Sequence, residues 1–151
     1  AANTSLALFN NRVRVGAQVD YRGGYVTHNV NDMFMCAFQV NCRALHDPTA
    51  SLEEQAAAIA GPMAFGAYAQ NAEHVRLREA SITYTLSNTL ARSLGAKTAN
   101  LTLTGRNLWL KTFGFTSWDP ENVTGSADAA NYNFSAQRQP VVGMLRVNLT
   151  F

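Results

Sequence analysis

Cys36, Cys42 and His46 stand in a C-x5-C-x3-H spacing. Three states are open to such a group: a disulfide, two free thiols, or part of a zinc site. Zinc wants four ligands, and no second Cys or His pair follows at a usual spacing. A Cys36–Cys42 bridge would close a short loop and limit the unfolded ensemble. The bridge is the expected state, with no metal and no cofactor. His28, His46 and His74 are otherwise scattered. His28 and His46 read as solvated loop residues, and His74 as the start of a strand. No Ser-His-Asp or Cys-His arrangement and no nucleophile elbow can be drawn, so no catalytic residue is assigned and no enzyme is expected. Asp119, Glu121 and Asp128 could offer carboxylates to calcium in a surface loop. The EF-hand pattern is absent, however, and Asp119-Pro120 is more simply a turn starter. Five Asn-x-Ser/Thr triplets begin at Asn3, Asn100, Asn122, Asn133 and Asn148. A secreted glycoprotein would explain them. So would strand alternation, because Asn100 and Thr102, or Asn148 and Thr150, then share one face. The second explanation is favoured.

These residues must be positioned by a chain of 151 residues with net charge +2. Charged residues make up 15% of it, against about 25% in ordinary soluble domains. Cations and acids nearly balance and no basic run occurs, which excludes a strongly basic nucleic-acid binder. The composition also excludes a disordered tail, a collagen-like chain and a Cys-dense scaffold. A membrane-spanning helix needs about 20 consecutive apolar residues, and the longest apolar stretches, such as Met33–Phe38, are far shorter. No signal peptide is visible at the start. A chain that opens on Ala1 reads as processed or as a piece of something longer.

The dominant period is two. From Arg12 to Arg22 the odd positions carry Val13, Val15, Ala17, Val19 and Tyr21. The even ones carry Arg, Gly, Gln and Asp. Such alternation marks a half-buried strand. The same pattern predicts strands over about 4–9, 12–22, 74–86, 99–112 and 141–151. Within 74–86 the apolar phase reverses, which predicts a bulge near Glu79 or a change of partner there. Leu108, Trp109 and Leu110 break the alternation of the fourth strand. A tight turn is expected at Asn10-Asn11. The connections 24–71 and 113–139 are long, and both fall at the same end of an up-and-down sheet. The first is expected to hold one short helix, opened by a Ser51–Glu54 capping box and stopped at Gly61-Pro62. The second, from Glu121 to Gln139, reads as irregular surface chain.

Alternation alone does not separate a membrane barrel from a soluble β-sandwich. Strand lengths near eleven residues fit a tilted bilayer span. The last strand keeps Val141, Gly143, Leu145, Val147, Leu149 and Phe151 on one face. The opposite faces carry Arg12, Arg14, Gln18, Asp20, Arg146 and Asn148, which suit a wet lumen. Aromatics gather near strand ends at Phe9, Tyr21, Tyr25, Trp109, Phe113, Phe115 and Phe151, as interfacial girdles do. Five strands cannot close a barrel whose smallest common form has about eight. Either several copies close the wall, or the chain is part of a longer barrel. A soluble carbohydrate-binding sandwich is the alternative.

Several segments resemble SusC/RagA-type TonB-linked outer-membrane proteins. Val75–Leu86, reading VRLREASITYTL, is similar to their LRLREVSLSYTLP strand. Thr104–Trp109 is similar to SGRNLW, Trp118–Glu121 to the DPE that follows it, and Asp20–Gly24 to DYRGG. The closing Leu145–Phe151 resembles their C-terminal strand, and Ser87 departs from the Pro often found after the first of these strands. The resemblance implies the C-terminal part of a transmembrane β-barrel, residues 1–151, with the plug domain outside this chain. It implies import of glycans or peptides across a bacterial outer membrane, energised by TonB. The implied partners are outer-membrane lipid, the rest of the barrel and plug, a SusD-like surface lipoprotein, and TonB through the missing N-terminal part. The C-terminus would be periplasmic and the loops 24–71 and 113–139 extracellular. Both compartments permit the Cys36–Cys42 disulfide.

Overall fold

The period-two pattern becomes an antiparallel sheet of five strands. The computed structural model describes residues 1–61, 63–122, 132–134 and 137–151. In chain order the elements are β1 (Ala2–Leu8), β2 (Val13–Arg22), β3 (Val26–Asn29), α1 (Val30–Ala37), α2 (Arg43–His46), α3 (Leu52–Ala60), β4 (Ala69–Asn71), β5 (His74–Thr85), α4 (Asn88–Ser93), β6 (Thr98–Thr112), β7 (Tyr132–Asn133) and β8 (Val142–Thr150). The chain forms two compact units. A sheet unit holds 1–21, 75–111 and 140–151. A loop unit holds 22–74 and 112–139.

In the sheet unit the strand order is β1-β2-β5-β6-β8. Each strand neighbours the next strand of the meander, the arrangement of lowest loop-closure cost. Asn10 and Asn11 both take positive φ, 53° and 65°, and Arg12 N donates to Phe9 O at 3.2 Å. Phe9 also has φ 53°, so three successive left-handed residues make the turn, a conformation Asn tolerates better than most residues. At the same end α4 occupies the connection from β5 to β6. Ser87, the position that departs from Pro, caps it by accepting from Leu90 N.

Both breaks in alternation have a structural cause. Arg78 pairs with Asp20 and its neighbour Glu79 with Arg106. Asp20 shares a face with Gly16, whose side-chain position meets Ser81 Oγ. Arg106 shares a face with Thr102, which meets Thr83. Adjacent residues reach one face only where the pleat slips, so the phase reversal at Glu79 is a bulge. On β6, Asn107 has φ 54°. Beyond it Leu108 swings back over Gly105, where a β-carbon would lie 2.8 Å from Leu108 Cδ2. Asn107 Nδ2 then donates to Pro140 O at 3.1 Å and ties the bulge to the approach to β8.

The loop unit is richer than the sequence suggests. The connection 24–71 was expected to hold one helix, and it holds α1, α2, α3 and a 3-10 turn at Phe65–Tyr68. The reason is local: α1 and α2 are too short to show helical periodicity. Ser51 caps α3 as expected, accepting from Glu54 N at 3.2 Å, and Gly61 ends it with φ 67°. Pro62 lies outside the described residues. Nor is the second connection wholly irregular, because β7 pairs in parallel with β3, His28 opposite Tyr132. With β4 on the other side of β3, a three-stranded sheet results. Val30, Met33, Cys36, Ala57 and Tyr68 form its small apolar core.

Candidate functional site

Two features of the fold could carry function, an exposed apolar face on the sheet and a buried polar network in the loop unit. On the sheet, Leu101 pairs with Val147, Leu103 with Leu145 and Ala99 with Leu149. On the far side Leu6 pairs with Val15 and Leu8 with Val13. All these residues share one face, and Ile82 and Tyr84 of β5 project from it as well. Leu103 is 55% exposed, Leu145 68% and Val147 62%. Soluble proteins seldom leave such a contiguous face open to water, which makes it an interaction surface. Phe9 and Phe151 stand exposed at one end of the sheet, Tyr21 and Trp109 at the other. Phe115 is a correction to that girdle, because it is buried in the loop unit. Tyr25 likewise reaches inward, its hydroxyl 3.3 Å from His74 Nδ1.

The loop unit is organised around Asn29. This fully buried residue ends β3 and caps α1, accepting from Asp32 N. Its Nδ2 also lies 2.7 Å from Asp32 Oδ2, 3.1 Å from Gln70 Oε1 and 3.0 Å from Thr116 Oγ1. Thr116 Oγ1 donates to Asp32 Oδ2 at 2.5 Å, and Thr116 N donates to Gln70 Oε1. Three segments distant in sequence thus meet at one carboxylate held by neutral donors. A second knot centres on Asn133, whose Nδ2 donates to Asp119 O and Asn122 O at 2.7 and 2.9 Å. Asn31 Nδ2 joins it to α1, reaching Ser117 Oγ at 3.0 Å. Buried amides placed this way fix loops that lack a large core, because breaking any one leaves a polar group unsatisfied.

His74 is fully buried. Its Nδ1 lies 2.9 Å from Ala72 O, and a carbonyl only accepts, so Nδ1 carries a proton. Its Nε2 is then turned to Glu121, 3.2 Å away. The sequence placed His74 at a strand start but carried no sign of its partner, 47 residues on. His28 is only half-buried and stacks on Phe65 with ring centroids 4.9 Å apart. His46 is exposed and touches Val40 O. Cys36 and Cys42 are joined in a disulfide, with Cα atoms 4.8 Å apart. His46 therefore meets no thiolate, and no metal-binding group of three or more occurs among the described residues. Asp119 is buried and opens a turn, its Oδ1 accepting from Glu121 N at 3.0 Å. Asp128 and the ends of the Asn122 and Asn133 triplets lie outside the described residues. Asn100 pairs with Asn148 and Thr98 with Thr150 across β6 and β8, so those triplets follow the strand pleat.

A cavity of about 660 Å³ opens beside the network. Asp32, Glu53, Glu54, Tyr68, Gln70 and the Cys36–Cys42 bridge line it. Arg43 is also in the wall, but Asp47 neutralises it at 3.1 Å. The lining is anionic and carries the amides of Asn41, Gln70 and Asn71, which suits hydrogen bonding. Burial, and next to it the Asp32 carboxylate, raise the Tyr68 phenol above its ordinary value. A raised folded-state value means that the stabilising effect is complete below pH about 10 and is lost as pH climbs through the folded-state value. Tyrosinate absorbance should accordingly show one group, missing from Tyr68→Phe, that ionises after the exposed tyrosines. Simultaneous ionisation of all of them would contradict it. The disulfide closes a loop of six-residue separation, for which chain entropy supplies about 2 kcal/mol. Replacing both cysteines with Ser should speed proteolysis within 30–60 by the corresponding factor, and an unchanged rate would refute the estimate.

No protein-family model matches the chain, and no curated protein sequence does. Solved structures do match. A structure of the RagAB peptide transporter aligns with TM-score 0.69 and 19% identity over 93% of this chain. The RagAB peptide importer aligns in its closed-closed state with TM-score 0.68 and 18% identity over 92%. In its open-open state the values are 0.63, 18% and 93%. The chain has the fold of one part of those transporter chains. It spans 16% of their length. Both units fall within the match, which covers nearly the whole chain.

Proposed function

We propose that this chain is the C-terminal wall segment of an outer-membrane active transporter of the SusC/RagA type. The observation that carries the proposal is the exposed apolar face of the five-stranded sheet, on a fold shared with a peptide-transporter chain. The outward face meets lipid, and the polar face lines the interior. A β-sandwich would need a second layer over the apolar face, yet Leu103, Leu145 and Val147 stand more than half exposed. In this reading β1 and β8 pair with strands of the remaining barrel, which satisfies two edges otherwise open. The loops 24–71 and 113–139 face the cell exterior and the C-terminus faces the periplasm. A SusD-like lipoprotein and TonB are the partners of the whole transporter, and its cargo is glycan or peptide. The acidic loop cavity, lined by Asp32, Glu53, Glu54 and Gln70, fits recognition of such cargo.

The test is the mass of the native polypeptide in an outer-membrane fraction, detected with an antibody to residues 113–139. Heat-modifiable migration of a polypeptide several times larger than 16.4 kDa is expected. A water-soluble band at 16.4 kDa would overturn the proposal in favour of a free-standing binding module.

A further inference from the structure

The cavity of the loop unit carries negative charge that no cation of the chain offsets. The unit holds eight Asp and Glu against three Lys and Arg. Arg43 in the cavity wall is taken by Asp47 at 3.1 Å, and Arg22 lies 3.9 Å from Glu121. Asp32 Oδ2 is held by Asn29, Gln70 and Thr116, all of them neutral. Its other oxygen accepts no hydrogen bond among the described residues. Glu54 Oε2 is shut off from water and has no hydrogen-bond partner. A carboxylate in that state is costly unless a cation reaches its other oxygen. No Lys, Arg or His among the described residues pairs with Asp32, Glu53 or Glu54. The remaining residues of the chain include none of these cations.

The missing charge is organic in kind. A hard divalent ion takes about six or more oxygens, and no three metal-binding side chains converge among the described residues. The volume of about 660 Å³ is that of a pocket for an organic ligand. Apolar wall stands beside the carboxylates, because Met35, Ala57 and the Cys36–Cys42 bridge line the same space. A lysine or arginine side chain has that polarity, an apolar stem ending in a charged head. Asn41 adds an amide to the wall that makes no hydrogen bond among the described residues and can meet a main-chain peptide group. A neutral sugar would find hydrogen bonds here and leave the carboxylates uncompensated.

We propose that the cavity receives a basic side chain of a peptide, its ammonium or guanidinium drawn to the Asp32 and Glu54 carboxylates and its stem laid against Met35 and the disulfide. The inference deepens the transporter reading and rests on it for the source of the peptide, which is cargo. Charge then selects among cargoes, since the carboxylates that attract a basic peptide repel an acidic one. The three donors on Asp32 Oδ2 fix that carboxylate before any ligand arrives, so little ordering opposes binding.

The experiment uses the intact native polypeptide in its membrane and equilibrium dialysis of three acetylated, amidated pentapeptides, Ala-Ala-X-Ala-Ala, with X lysine, norleucine or glutamate. The lysine peptide should bind about tenfold tighter than the norleucine one or better, with an advantage that shrinks as salt rises. Glu54→Gln removes the charge and keeps the backbone N–H that Ser51 caps. It should weaken lysine-peptide binding about tenfold and leave norleucine-peptide binding unchanged. Asp32→Asn, on another helix, should do the same. Equal affinity for all three peptides, or lysine-peptide binding unmoved by both variants in a heat-modifiable protein, would overturn the cavity assignment and leave the barrel reading intact. Free butylamine that binds as tightly as the lysine peptide would overturn the peptide in favour of small amines. Unmodified protein that lacks heat-modifiable migration would instead overturn the barrel reading, and with it the source of the peptide.

Discussion

On the barrel reading proposed above, Leu103→Arg is expected to destabilise the inserted protein by about 2–4 kcal/mol, the cost of a cation on the lipid face of a barrel strand near mid-depth. Leu103 is 55% exposed and stands opposite Leu145, itself 68% exposed. In water an Arg at so open a position would change stability by only about 0.5 kcal/mol. The two environments therefore differ by a factor of ten or more in the unfolding constant. Urea unfolding of the intact polypeptide refolded in lipid vesicles reads the difference directly. Thr104→Arg, one residue on and on the polar face, should cost far less. Equal small losses for both variants would mean that water, not lipid, covers the apolar face.

Asn29→Ala should be the most damaging single truncation in the loop unit, at about 2–4 kcal/mol. It removes the α1 cap, worth about 1 kcal/mol. It also strips a buried donor shared by Asp32, Gln70 and Thr116, which keep bonds among themselves, so the loss of that one amide adds about 1–3 kcal/mol in total. Asn29 is fully buried, so relaxation toward solvent is limited. Amide hydrogen exchange in the intact protein should show faster opening across 26–37, 69–71 and 115–117 together, since the network joins them. Faster exchange confined to α1 would mean that the cap alone matters. Asn29→Asp keeps the cap but puts a second carboxylate against Asp32, and it should fail to rescue the network.

Several parts of the molecule were legible before any coordinates. The strand predicted over 12–22 runs Val13–Arg22, and the one over 99–112 runs Thr98–Thr112. Short-range physics decides these elements, because side chains alternate across a strand wherever one face is apolar. The Asn10-Asn11 turn and the Ser51 cap were legible for the same reason, each resting on residues within a few positions. The Cys36–Cys42 bridge also closes locally. The loop unit behaves otherwise. Its helix α1 is tied to β4 and to Thr116 by Asn29, Asp32 and Gln70, and these four residues come from three separate stretches of chain. No spacing rule links them, and single Asn or Thr residues in loops carry no pattern.

The phase reversals mark the boundary between the two kinds of information. Alternation located the break near Glu79 but left two causes open. Only the pairing of Arg78 with Asp20 and of Glu79 with Arg106 identifies a bulge. The same holds for Arg14, Thr83, Thr102 and Arg146, which form one row across β2, β5, β6 and β8. Sequence alone determined that each residue lies on a polar strand face, since that follows from a period of two. Tertiary structure decided that they lie side by side, because register is set by hydrogen bonds between residues up to 73 positions apart in the chain, Thr85 and Arg12.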